Sequence, residues 1–310
     1  MGGVTGPNLL KLPEASKLVC DQITSAKGGW STGKFGTSEF DAIRHYMQRK
    51  TASPMLPYPD KIVHCITVNA GLWAGEGKTI DEAIDEWAEA MLDAGKDLDL
   101  VVAWNPMYPR QEENFLNMLV RSRTWIPLRA LEPFYSPESQ YTLCMTNGSI
   151  CVVSPFADTI KAQWGRRSYV FPIDGIAGKM WLPTQQLHTV NAPFGPNMCP
   201  DNLNLSWNPE ILKAGPMAAV KALADQVQAT GARYVFVGMG ALSLVLVGEL
   251  KRRGLVALHT GGGTQIMFGV KGERWKYHNV ISKMFNDYWV RPTAEETPSL
   301  ASSVEGACYW

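Results

Sequence analysis

Twice between residues 233 and 265 the chain runs from a short apolar stretch through glycines into a helical pattern. The first run, 233–239, reads as a buried strand that enters Gly238-Met239-Gly240 and then a helix over 241–253. The second, 255–260, reads as a strand that enters Gly261-Gly262-Gly263-Thr264-Gln265. Such junctions belong to folds in which parallel strands alternate with helices. Glycines let a ligand approach the backbone, and helix starts offer free N–H groups to an anion. The pattern predicts a phosphorylated ligand, most simply a nucleotide or nucleotide-sugar.

The alternation extends upstream. Strands are predicted at 62–68, 99–104, 126–131 and 150–154, and helices at 37–49, 79–94, 112–123, from Pro155 to Trp164, and 216–230. Thr79 caps the second of these helices, and Ile80, Ala83, Ile84, Trp87 and Met91 form its apolar face. Residues 1–30 read as irregular, 51–60 as a proline-rich loop, and 172–209 as the longest irregular stretch, placed to cover a site. The expected fold is α/β, with a Rossmann-like, mostly parallel sheet flanked by helices. The expected segments are an arm and first helix (1–60), an N-terminal half (61–170), an acceptor-side segment (171–212) and a C-terminal ligand-binding half (213–310); one compact domain fits as well.

Lys plus Arg equals Asp plus Glu, 29 each, which argues against a general nucleic-acid or anionic-membrane binder. No apolar run is long enough to span a bilayer, and the start MGGVTGPNLLKLPEASK lacks the order of a secretory signal and of a myristoylation signal. A cytoplasmic protein follows, in host cytoplasm if viral. None of the six cysteines has CxxC spacing, so free thiols are expected, and the sequons at Asn147 and Asn204 are expected to be unused. The eleven tryptophans suit a core, and their faces also suit sugar rings or bases.

Ligands of open parallel sheets bind at the carboxyl ends of strands. The sequence places Asn69, Ser154, Gly238, Met239, Gly240, His259, Gly261, Gly262, Thr264 and Gln265 there. Lys271 and Arg274 follow closely and could neutralise phosphate, or could form a surface turn. Glu39, Glu132 and Asp158 are the carboxylates open to a functional reading, as a base on a sugar hydroxyl or as ligands of Mg²⁺ or Mn²⁺; each also suits helix capping or a turn. Ser243 stands where a dinucleotide fingerprint has its third glycine, and no P-loop, GxSxG, HExxH or CxxC is present.

The segments GKFGTSEFD (33–41), VVSPFAD (152–158), RYVFVGMGALSLVLVGELKRRG, ALHTGGGTQIMFGVKGERW, NDYWVRP, EETP and VEGACYW resemble a group of polysaccharide-associated proteins of bacteria and large DNA viruses. More distantly, the layout is similar to GT-D-type glycosyltransferases, which carry a glycine-acidic-glycine-glutamate segment near the N-terminus. Gly36-Thr37-Ser38-Glu39 keeps the first glycine and the glutamate but has Thr37 and Ser38 in between, which puts metal dependence in question. The resemblance implies a hexosyl- or pentosyltransferase that moves a sugar from a nucleotide-diphosphate sugar, UDP-linked by expectation, to an oligosaccharide or glycoprotein-glycan hydroxyl. No covalently bound cofactor is expected, and a homodimer is left open. The alternatives are another nucleotide-sugar-processing enzyme or a non-catalytic nucleotide-sugar or glycan binder.

Overall fold

Seven strands form one all-parallel sheet in the order β3-β2-β1-β7-β6-β4-β5. The computed structural model describes residues 9–54, 56–105, 107–122, 124–199 and 207–310. The expected N-terminal arm up to residue 8, Arg123 at the end of a predicted helix, and the Asn204 sequon lie outside the described residues.

In chain order the helices and strands are α1 (Leu12–Ser25), β1 (Trp30–Gly33), α2 (Thr37–Thr51), α3 (Asp60–His64), α4 (Ile80–Lys96), β2 (Leu100–Val102), α5 (Pro109–Leu119), β3 (Trp125–Ile126), β4 (Ile150–Ser154), α6 (Ala157–Trp164), α7 (Arg167–Val170), β5 (Leu187–Asn191), α8 (Pro209–Ala214), α9 (Pro216–Ala229), β6 (Tyr234–Val237), α10 (Ser243–Arg252), β7 (Val256–His259) and α11 (Gly263–Met267). Among the described residues no helix is long and apolar enough to cross a membrane.

Alternation along each strand divides the core in two, because successive side chains point to opposite faces. Cys151, Val153, Val235, Val237 and Ala257 pack with α2, α4, α5, α9 and α10 on one face. Ile150, Val152, Tyr234, Phe236, Val256 and Leu258 pack on the other with α1, α6 and the irregular segments around Phe134, Tyr141 and Trp181. The four central strands are buried on both faces, as a parallel sheet requires. From β4 the chain leaves through α6 toward β5, whereas from β6 it leaves through α10 toward β7, on the opposite face. That divergence opens a crevice above the carboxyl ends of the central strands.

Several expectations are corrected. Residues 12–25 are helical: Glu14 accepts from the Lys11 N–H at 3.4 Å, and Ala15, Val19 and Ile23, four apart, bury one face. The β-branched run at 62–68 is helix α3 followed by a π-helical turn, Cys65–Asn69. Pro59 and Asp60 start it, and packing against α2 outweighs strand propensity. The strand expected at 126–131 stops after Ile126, because Pro127 has no N–H for the ladder and a 3-10 turn, Leu128–Leu131, follows. The stretch 172–209 contains edge strand β5, paired with β4 from Leu187 to Asn191. Cys20 and Cys144 are disulfide-bonded, against the expectation of free thiols, while Cys65, Cys151, Cys199 and Cys308 keep their thiols outside any disulfide.

Candidate functional site

A cleft of about 260 Å³ sits over the carboxyl ends of β1, β7, β6 and β4. Of the residues expected at a site, Glu39, Asn69, Ser154, Gly238, Met239, Gly240, His259, Gly261, Gly262, Thr264, Gln265 and Arg274 line it. Glu132, Asp158 and Lys271 do not. Glu132 lies behind the sheet end, ion-paired with Arg129 and packed against Gly263. Asp158 is exposed on the first turn of α6; its N–H donates to Glu296 at 2.8 Å, so a protein carboxylate already occupies that helix start. The Lys271 N–H donates to Val290 O at 2.8 Å, on the far side of α11.

The glycine junctions are built for packing between loops. A β-carbon on Gly238 would overlap Thr264 Oγ1 and the Gly261 carbonyl. Gly240 has φ +69° and lies on the Ala70 carbonyl, which accepts from the Ala241 N–H at 2.8 Å. Most nearby N–H groups are also spent internally: Gly238 on Val153 O at 3.0 Å, Met239 on Ser243 Oγ at 3.0 Å, Gly263 on Thr260 O at 3.1 Å and Thr264 on Gly261 O at 3.0 Å. Gly238 and Gly240 therefore approach protein as closely as they border the cleft, and these four N–H groups are already engaged.

The cationic end of the cleft lies at a junction the sequence reading passed over. β1 ends at Gly33, and Lys34 stands just beyond it with its ammonium 4.1 Å from the centre of the Trp104 ring. Among the described residues no carboxylate comes within ion-pair distance of Lys34. Burial lowers its pKa, and nearby Glu39 and Glu132 offset part of that shift. The first bond of α2 runs from Phe40 N–H to Gly36 O, so the N–H groups of Thr37 and Ser38 precede the helical ladder and border the cleft. The Glu39 carboxyl folds back over Gly36. Burial raises its pKa, against the pull of Lys34 and its own N–H.

His259, 5% exposed, directs Nδ1 at the Lys34 carbonyl, 3.1 Å away. A carbonyl only accepts, so Nδ1 carries the proton and Nε2 presents a lone pair. Burial, reinforced by Lys34, lowers the His259 pKa to about 3, so the ring is neutral. Behind Trp104, the Glu112 carboxylate accepts from the N–H groups of Trp104 at 3.0 Å and Asn105 at 2.8 Å and fixes the end of β2. Burial raises its pKa to about 7.

The C-terminal residues form the far wall. Glu305, Gly306 and Ala307 have successive positive φ values of 46°, 69° and 62°, a left-handed turn that non-glycine residues rarely adopt. The turn returns Tyr309 and Trp310 to the cleft, where Gln265 Nε2 donates to Tyr309 O at 3.1 Å and Trp310 Nε1 donates to Glu296 O at 2.8 Å. Arg274 donates to the Tyr309 hydroxyl at 2.9 Å and pairs with Glu305. Phe194, Met198, Val304, Tyr309 and Trp310 make this wall apolar.

Lys34, Thr37, Ser38 and Trp104 line the cleft without being singled out from the sequence, whereas Phe194 falls in the stretch 172–209 expected to cover a site, and Glu305, Tyr309 and Trp310 fall in the C-terminal half expected to bind the ligand. The available signal was the segment Gly33-Lys34-Phe35-Gly36-Thr37, a third strand–glycine–helix junction hidden behind the polar strand Trp30–Gly33. No family model, curated protein or solved structure matches this chain.

Proposed function

We propose that the cleft binds a nucleotide-diphosphate sugar and that the protein is a glycosyltransferase acting on a glycan hydroxyl. The observation that carries this reading is the make-up of the cleft. Lys34, with no carboxylate within ion-pair distance among the described residues, and the start of α2 share the cleft with the His259 acceptor and an aromatic wall. Lys34 and the Thr37 and Ser38 N–H groups suit a diphosphate and the charge it gains as leaving group. Tyr309 and Trp310 suit the C–H faces of a sugar.

In an inverting transfer, the acceptor oxygen bonds to the anomeric carbon as the carbon–phosphate oxygen bond breaks. The Glu39 carboxylate then takes the acceptor's proton, and its raised pKa makes it the stronger base. Among the described residues no cluster of three His, Cys, Asp or Glu side chains could hold a metal ion, and Lys34 and Arg274 already place positive charge beside Glu39 and Glu305. No step is routed through a metal.

The test is a melting-temperature panel of UDP, UDP-sugars and other nucleotides, with and without Mn²⁺, followed by assay for free sugar released from any donor that binds. A rise with one UDP-sugar together with slow donor hydrolysis supports the reading. No rise with any nucleotide at millimolar concentration overturns it.

A further inference from the structure

We propose that His259 Nε2 and Gln265 Oε1 form a pair of acceptors that read hydroxyl donors of a sugar ring, so that the neutral sugar lies over the ends of β7 and α11 and the diphosphate lies toward Lys34 and α2. Both side chains are almost fully buried, at 5% and 2% exposure, yet both line the cleft. Their orientations are fixed from behind. Nδ1 of His259 must be the protonated nitrogen, because it faces the Lys34 carbonyl at 3.1 Å. The Gln265 amide nitrogen must face inward, because it donates to two carbonyls, Val270 O at 3.3 Å and Tyr309 O at 3.1 Å. What each group can offer a ligand is a lone pair.

A lone pair repels phosphate oxygens and attracts O–H groups. The surrounding backbone points the same way, since the N–H groups of Gly261, Gly263 and Thr264 are held by Val237 O at 3.3 Å, Thr260 O at 3.1 Å and Gly261 O at 3.0 Å. The Tyr309 ring packs against Gly262, and the Trp310 ring stands edge-to-face with Phe156 at 5.9 Å, which leaves an apolar surface beside the acceptors for the ring's C–H groups. A neutral histidine with so low an affinity for protons is a poor general base, which favours recognition over proton transfer.

The naming of a sugar donor rests on the proposed function, but the acceptor pair can be tested apart from it. His259→Asn keeps an N–H at the Nδ1 position for the Lys34 carbonyl and removes the Nε2 acceptor. Calorimetry would compare UDP with UDP-glucose and UDP-galactose on the wild type and on His259→Asn, with melting curves to verify folding. The expected result is a loss of about tenfold in affinity for the bound UDP-sugar, with UDP affinity changed by less than about twofold. Equal loss for UDP, or no loss for either, overturns the assignment.

If the wild type binds no nucleotide, the donor reading fails and methyl glycosides decide the acceptor pair by saturation-transfer NMR. Binding to the wild type that weakens in His259→Asn supports it, as does weakening on the wild type when one hydroxyl is replaced by fluorine, which cannot donate. No glycoside binding, or binding indifferent to both changes, overturns it.

Discussion

The carboxylate of Glu39 occupies the space that a β-carbon on Gly36 would take. Gly36 has φ −65° and ψ 166°, which any residue adopts, so the requirement for glycine there is one of room. Gly36→Ala must push the Glu39 carboxyl away from the start of α2. The exchange is expected to cost about 1 kcal/mol of stability, the usual penalty for alanine at a helix N-cap. Activity or ligand affinity should fall as far as in Glu39→Ala. Wild-type affinity in Gly36→Ala alongside a loss in Glu39→Ala would show that the fold-back is not the working position of Glu39.

Lys34→Met tests where the phosphate lies. Methionine keeps an unbranched chain over Trp104 and removes the charge. Losing a charged donor to a diphosphate is expected to weaken UDP by about tenfold to a hundredfold and to flatten the salt dependence of binding. Calorimetry at two ionic strengths reads both. Unchanged UDP affinity would return the phosphate to the glycine turns.

Strands β4, β6 and β7 were legible because buried parallel strands read as unbroken apolar runs. Strand β1 was not, because Ser31 and Thr32 are polar in sequence and buried in the sheet, with hydroxyls that find no partner. That one strand hid Lys34 and the position of the predicted helix 37–49 at a strand's carboxyl end. Spacing also does not tell a glycine that admits a ligand from one that admits another loop: Gly238 faces Thr264 and Gly261, a relation between loops on neighbouring strands. The aromatic wall was legible as segments, 172–209 and the C-terminal half, but not as residues. Trp310 reaches the cleft through a left-handed turn and a bond to Glu296, neither of which has a periodic signature.

The Cys20–Cys144 bond ties α1 to the segment that packs beneath it, across a sequence separation of 124 residues. Closing so long a loop in the unfolded chain gives a loss of about 5 kcal/mol on removal. The Cys20→Ser/Cys144→Ser double variant should show that loss in urea melts. Unreduced, denatured wild type should yield thiols only from Cys65, Cys151, Cys199 and Cys308. Titration of all six would show that the bond does not form.

Glu112 should make stability depend on pH. Its folded pKa of about 7 lies above the ordinary carboxyl value of 4.5, so the folded state holds a proton that the unfolded chain has released. Stability from this group is therefore lost as pH rises from about 4.5 to 7, by on the order of 3 kcal/mol. His259 acts oppositely. Its folded pKa of about 3 lies below the ordinary 6.5, so stability from that group rises with pH between the two values. The two windows overlap and partly cancel in the wild type, so the informative measurement is a difference. Glu112→Gln keeps an oxygen for the N–H groups of Trp104 and Asn105 and removes the titration. Urea melts at pH 5 and pH 7.5 should show the variant gaining stability relative to wild type as pH rises, because the buried charge is gone while the His259 contribution remains. Parallel pH profiles for the two proteins would mean that Glu112 is ionised across the range, its charge held by the two N–H groups alone.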